Sequence, residues 1–217
     1  MNIKNINTHH NKVKTRLVSY NDIGDLSEYL QDLPEKLESA STKRKIEYIA
    51  SRVCGIQEGE SLKDIGSHPN GAPRFPNNYI GSLTHSKDFA VCSRALSSDF
   101  LSIGIDIERL VDEKKMNTLE KMVLTKKELL YLKKSENMLR DATIMFSAKE
   151  SLYKLINPLA QCFINFQEGI VLSINSVTNK ADIELKSDKD ELKAFLGHYE
   201  VFYKLVDNNI FTQIVLK

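Results

Sequence analysis

The chain has 217 residues, 41% of them hydrophobic, and its 30 Lys and Arg against 29 Asp and Glu leave a formal charge of +1. That length admits one large domain or two small fused ones around a buried core, and the balanced charge gives no global signal for nucleic acid or an anionic membrane, so any anion site must be local. Cys54, Cys92 and Cys162 are odd in number and widely spaced, unlike a disulfide framework or a zinc site. No apolar run is long enough to span a bilayer and the N-terminal stretch lacks an apolar signal core, so a cytoplasmic location is expected.

Residues 1–11 form a polar lead in which His9 and His10 read as part of a solvated terminus. The β-branched stretch 12–20 predicts a short strand, and 25–37 carries helical spacing interrupted at Pro34. Over 42–53 a helix is expected, with Ser41 as cap, Ile46, Ile49, Ala50 and Val53 on one face, and Gly55 beyond its end. The segment SHPNGAPRFP, 67–76, predicts an ordered but irregular surface stretch. Strands are expected at 79–83, 89–96 and 101–107 as an antiparallel meander, and helices at 119–123, 126–133 and 139–156, the last closed by Pro158. The stretches VLSI, ADIEL, YEVFYKLV and IFTQIVL predict a second antiparallel group, with a hairpin at residues 207–209. The order predicts an α+β chain of two helix-plus-antiparallel-sheet halves, 1–103 and 104–217, joined near 102–109, although no internal repeat is detectable.

Four patterns carry possible chemistry. In IGIDIE, strand alternation turns Ile103, Ile105 and Ile107 one way and Asp106 and Glu108 the other, so two carboxylates can offer hard oxygen ligands to one divalent cation. Taken alone, that motif is read more simply as a half-buried strand with an acidic, solvated outer face. In FSAKESLYK, Ile144, Ala148, Leu152 and Leu155 form an apolar stripe, while Glu150 and Lys154, four apart and off it, present an acid and a base on one helical face. A simple surface ion pair is the alternative. GSLTHS places Thr84, His85 and Ser86 at a strand end, where hydroxyl and imidazole donors could meet a phosphate or serve structure alone. Arg44 and Arg52, eight residues apart on one helix, lie within about 80° of each other around its axis and could meet one polyanion or simply be solvated.

Taken together and in this order, GSLTHS, IGIDIE and FSAKESLYK resemble the three motif blocks of the 4′-phosphopantetheinyl transferase superfamily, in its siderophore- and surfactin-synthase type. RKIEYIASRVCG and GAPRFP are similar to the upstream helix and proline-rich loop of the enterobactin-synthetase component D group within it, so the resemblance runs from Arg44 to Lys154, about half the chain. It implies a monomeric, pseudo-dimeric fold of two similar α+β halves, with coenzyme A in the cleft between them. By resemblance, Asp106, Glu108 and Glu150 hold Mg2+ on the pyrophosphate, and Lys149 and Lys154 neutralise its developing charge. His85, with Ser86 or Thr84, meets the 3′-phosphate of coenzyme A, and Arg44, Arg52 and Arg74 complete the adenosine-phosphate site.

The implied reaction moves phosphopantetheine to a serine of an apo acyl or peptidyl carrier protein and releases 3′,5′-ADP, for siderophore, other nonribosomal peptide or polyketide synthesis. Glu150, directly or through a metal-bound water, is the candidate base for the serine proton. Two positions depart from the pattern: Phe75 stands where tryptophan is usual, and Ala72 where surfactin-synthase relatives place a phosphate-binding lysine. A metal-dependent nucleotide pyrophosphohydrolase and a non-catalytic carrier-binding module are the competing readings. Lys126, Lys127, Lys133 and Lys134 could receive an acidic carrier helix.

Overall fold

The computed structural model describes residues 2–76 and 78–217, with Lys36 as backbone only. The chain divides into two compact units, Met1–Ile103 with Lys217, and Gly104–Leu216.

In the first unit, β1 (Ile3–Asn5) and β2 (Lys14–Ser19) precede α1 (Thr42–Val53). The tiny pair β3 (Gly66–Ser67) and β4 (Pro73–Arg74) and the hairpin of β5 (Tyr79–His85) and β6 (Phe89–Leu96) follow. The larger sheet has the order β1-β2-β6-β5, with antiparallel neighbours throughout. The lead is therefore not simply a solvated terminus: Ile3 pairs with Val18, and His10 meets the Phe100 ring edge-on at 6.0 Å. No periodicity in three residues could have announced that edge strand.

Helix α1 begins where expected because Ser41 Oγ accepts the Arg44 amide at 3.3 Å, a cap whose loss costs about 1 kcal/mol. Its inner face packs Ala50 and Cys54 against Val18, Ala90 and Cys92. The helical spacing over 25–37 resolves instead into short 3-10 turns, Ser27–Asp32 and Glu35–Leu37, because Pro34 prevents one continuous helix. Phe75 packs against Gly81, where an added Cβ would stand 2.5 Å from the ring, so the irregular loop is anchored to β5 by a contact only glycine permits.

The second unit begins within β7 (Ser102–Arg109) and runs through α2 (Glu113–Met122), α3 (Lys126–Leu132) and α4 (Met138–Ala160), then β8 (Gly169–Asn175), β9 (Lys180–Leu185), β10 (Gly197–Val206) and β11 (Asn209–Leu216). Its sheet order is β7-β11-β10-β9-β8. The apolar stripe of α4, from Ile144 through Ala148 and Leu152 to Leu155, is essentially inaccessible to solvent and shares one core with Val171, Ile183, Val201 and Ile210 of the sheet. Contrary to expectation, Pro158 does not close α4. The proline falls in the last turn, where only one ladder bond is lost, and Gln161 in the left-handed conformation returns its N–H to Asn157 O at 2.9 Å.

Candidate active site

Gly104 lets α4 lie directly on β7, since a Cβ there would stand 1.9 Å from Ser151 O and 2.7 Å from the Leu155 nitrogen. The room this glycine leaves is thus filled by helix backbone. Because side chains alternate along a strand, the same face of β7 carries Asp106 and Glu108, while Ile103, Ile105 and Ile107 are buried on the other.

Asp106 is buried beneath α4, where its Oδ1 accepts from Lys154 Nζ at 2.7 Å and its Oδ2 from Ser147 Oγ at 3.0 Å. Glu108 Oε2 accepts from Lys115 Nζ at 2.8 Å. Burial, then the charge of Asp106, pushes the Glu150 carboxyl above the usual range, with Glu108 adding to the effect and Lys154 and Lys115 opposing it. Glu108 is raised in the same way, by burial and then by Asp106. Asp106, Glu108 and Glu150 therefore share one electrostatic neighbourhood, built from β7 and from the Ser147, Glu150 and Lys154 face of α4.

Among the described residues, no three His, Cys, Asp or Glu side chains close around one metal-sized position, and Lys154 and Lys115 sit on the two β7 carboxylates. The donor chemistry nonetheless fits a hard divalent cation: three carboxylates outnumber two ammonium groups, and burial followed by the charge of Asp106 opposes ionisation of both Glu108 and Glu150, which a cation would relieve. Beside Glu150 opens a largely apolar pocket of about 160 Å³, lined by Leu152, Tyr153, Phe163 and Phe166.

Lys149, expected on the pyrophosphate, is placed elsewhere. Its side chain is buried, and its ammonium donates to Glu128 Oε2 at 2.8 Å, Val123 O at 2.8 Å and Phe166 O at 2.9 Å. Burial lowers its pKa and the Glu128 charge opposes that shift. A lysine with all three protons committed inside the core holds α3 to α4 and has none to offer an incoming phosphate.

In the first unit, Arg44, Arg52, Thr84 and His85 line one pocket of about 310 Å³ between α1 and β5. Arg44 Nη1 lies 3.4 Å from His85 Nε2 and 3.4 Å from Glu47 Oε2. Arg52 is not a solvated helix decoration. Its guanidinium stacks over the Tyr48 ring at 3.4 Å, and it donates to Ile65 O at 3.0 Å and Ser67 Oγ at 3.4 Å.

Two expected members stand outside this pocket. Ser86 Oγ accepts the amides of Asp88 and Phe89, both at 3.2 Å, and so shapes the β5–β6 turn. Arg74 is exposed on β4, its guanidinium 3.3 Å from where a Gly66 Cβ would stand. Glu47 and Lys115 were not foreseen as site residues. Their only sequence signals were weak: Glu47 stands three residues after Arg44, and Lys115 lies in the charged stretch after β7.

Sequence comparison gives the class of the protein. A family model described as the 4′-phosphopantetheinyl transferase superfamily matches residues 102–206, and one for the N-terminal domain of 4′-phosphopantetheinyl transferases matches residues 33–95. The chain belongs to this family. It is 32% identical over 171 residues to the 4′-phosphopantetheinyl transferase Npt of Nocardia iowensis, covering 72% of this chain and 74% of that one. To enterobactin synthase component D of Salmonella typhi it is 30% identical over 129 residues, 55% of this chain and 51% of that protein, so it spans about half the length of that relative. Among solved structures, the holo-[acyl-carrier-protein] synthase of Thermotoga maritima aligns with a TM-score of 0.41 and 19% identity over 54% of this chain and 64% of that one.

Proposed function

We propose that this protein transfers 4′-phosphopantetheine from coenzyme A to a serine hydroxyl of an apo acyl or peptidyl carrier protein, releasing 3′,5′-ADP, and that it does so with magnesium. Family membership supports the transfer. The single observation that supports the site assignment is the 2.7 Å contact that joins the two motifs, Lys154 Nζ to Asp106 Oδ1, with burial and then the Asp106 charge raising the carboxyl pKa of both Glu108 and Glu150 beside it. Bound magnesium would be held by these three carboxylates, once Lys154 turns off Asp106, and would neutralise charge on the diphosphate.

Phosphoryl transfer is governed by positioning and charge stabilisation more than by covalent catalysis. Lys154, about a quarter exposed beside Asp106, can swing its ammonium toward a diphosphate oxygen as charge develops there. Glu150 is assigned the proton of the attacking serine, directly or through an intervening water. Arg44, Arg52 and His85 take the phosphorylated adenosine end of coenzyme A in the pocket against α1, with Thr84 beside them. The name of the component D relative supports siderophore or other nonribosomal peptide or polyketide synthesis as the setting, with the protein acting as a cytoplasmic monomer. No described helix is long and apolar enough to cross a membrane.

Incubation with a panel of apo carrier proteins, coenzyme A and magnesium is expected to yield a carrier heavier by one phosphopantetheine unit by mass spectrometry. Hydrolysis of coenzyme A at its diphosphate without carrier modification would instead establish a pyrophosphohydrolase using the same acids. Tight carrier binding with neither product would establish a binding module.

A further inference from the structure

Ser147, Ser151 and Thr212 are fully buried, yet none of them is part of the reacting set. Thr212, on β11, puts its Oγ1 2.7 Å from Ser151 Oγ and 2.8 Å from Ser147 Oγ, and Ser147 Oγ reaches Asp106 Oδ2 at 3.0 Å. An ionised carboxylate can only accept, so Ser147 must spend its single proton on Asp106. Its oxygen is then available to accept from Thr212, and the Thr212 oxygen to accept from Ser151. Each hydroxyl has one proton, and that direction alone gives each of the three contacts in the row a hydrogen; Ser151 Oγ also lies 3.4 Å from Thr212 O, a longer contact than its 2.7 Å approach to Thr212 Oγ1. Thr212 Oγ1 also lies 2.9 Å from Ser147 O, so its proton is shared between that carbonyl and the Ser147 oxygen.

We infer that Ser151, Thr212 and Ser147 form a one-way hydroxyl chain that sets the orientation of Asp106 and thereby the place of Lys154 on its other oxygen. Hydrogen bonds in series polarise one another, and in a dry interior such a chain has few alternative arrangements. The chain fixes Oδ2 from below and leaves Oδ1 as the oxygen that meets Lys154 at 2.7 Å or, on the functional reading above, a cation. The three hydroxyls are positioning residues: all lie inside the α4–β11 contact and act only through Asp106.

This inference rests on the proposed function only for its catalytic consequence, and two readouts keep the two separable. The first concerns the free protein. In Thr212→Val and Ser147→Ala, the side-chain ammonium 15N resonance of Lys154 is expected to shift from its wild-type position and exchange faster with solvent, whereas Thr212→Ser keeps the wild-type signal.

The second concerns Mn2+, used as a paramagnetic substitute for magnesium and titrated without carrier or coenzyme A. Thr212→Val and Ser147→Ala are expected to bind it about tenfold more weakly or worse, with Thr212→Ser close to wild type. Melting curves accompany each variant, and if Thr212→Val does not fold, Ser147→Ala carries the comparison. An unchanged Lys154 resonance in the folded hydroxyl-deleting variants overturns the inference, as does Thr212→Ser behaving like Thr212→Val. If the wild type binds no Mn2+ and modifies no carrier, the functional reading fails, while the Lys154 resonance still decides the hydroxyl chain.

Discussion

Lys154 and Asp106 are joined by a 2.7 Å ion pair in which the carboxylate is buried and the ammonium stays about a quarter exposed. The cation expected to meet substrate is therefore held in reserve on one of the proposed metal ligands. Lys154→Gln is expected to reduce carrier modification about 100-fold or more, as for loss of one preorganised charge-stabilising group. It should also cost about 2 kcal/mol of stability, because a buried carboxylate loses its partner. Single-turnover kinetics with chemical denaturation would measure both.

Glu150→Gln and Glu108→Gln should separate activity from stability. Burial and the charge of Asp106 both oppose ionisation of these groups, so a neutral amide relieves repulsion in the folded state. The expected outcome is a protein that folds, melts no lower than wild type and transfers no phosphopantetheine. A variant with full transfer would remove the three-carboxylate site from consideration.

The two arginines of α1 should divide. Arg44 is half exposed at the pocket rim, whereas Arg52 is tied to Ile65, Ser67 and Tyr48. Arg44→Ala is expected to raise the KM for coenzyme A with little change in melting temperature. Arg52→Ala should lower the melting temperature as well, since it leaves the Ile65 carbonyl without that donor and strips packing from Tyr48. Steady-state kinetics beside calorimetry would show the split.

Acid should loosen the first unit through Glu60. Its carboxylate takes both terminal nitrogens of buried Arg94, at 2.6 and 2.8 Å, which holds its pKa below the ordinary 4.5. A carboxyl depressed on folding stabilises the protein above its unfolded pKa, and that stabilisation disappears as pH falls through the folded value. Wild type should thus melt higher than Glu60→Gln near neutrality, and the difference should close on acidification below 4.5. Thermal scans across pH test this.

Lys126, Lys127, Lys133 and Lys134 are all exposed on and just after α3. If they attract an acidic carrier helix, reversing their charge should slow carrier modification at low ionic strength and matter progressively less as salt screens it. A rate unchanged at low salt would end that docking idea.

The reach of sequence reasoning followed the range of the interactions. Ser41, the apolar face of α1 and the α4 stripe act within a few residues, and the helices form on them. The alternation in IGIDIE correctly turned Asp106 and Glu108 to one face, and Glu150 does fall within their field. Lys149 went astray because its partner Glu128 lies 21 residues away and only packing of α3 against α4 brings it near. Arg52 lines the expected pocket, but its anchoring could not be read: its acceptors at Ile65 and Ser67 come from a stretch with no periodicity. Edge strand β1 likewise depends on a neighbour distant in sequence, whereas the passage of α4 through Pro158 is local, resting on the left-handed Gln161.

Side by side in the run KES stand two residues in unlike surroundings: Lys149 is locked in the interior on Glu128, while Glu150 lies in the field of Asp106 and Glu108 and is proposed to serve the chemistry. On the proposed function, a copy that lost the acids of β7 could still need this lysine for its fold, so the tripeptide alone would not mark an active homologue. Whether a distant homologue is active would be judged better by asking whether acids corresponding to Asp106 and Glu108 accompany it.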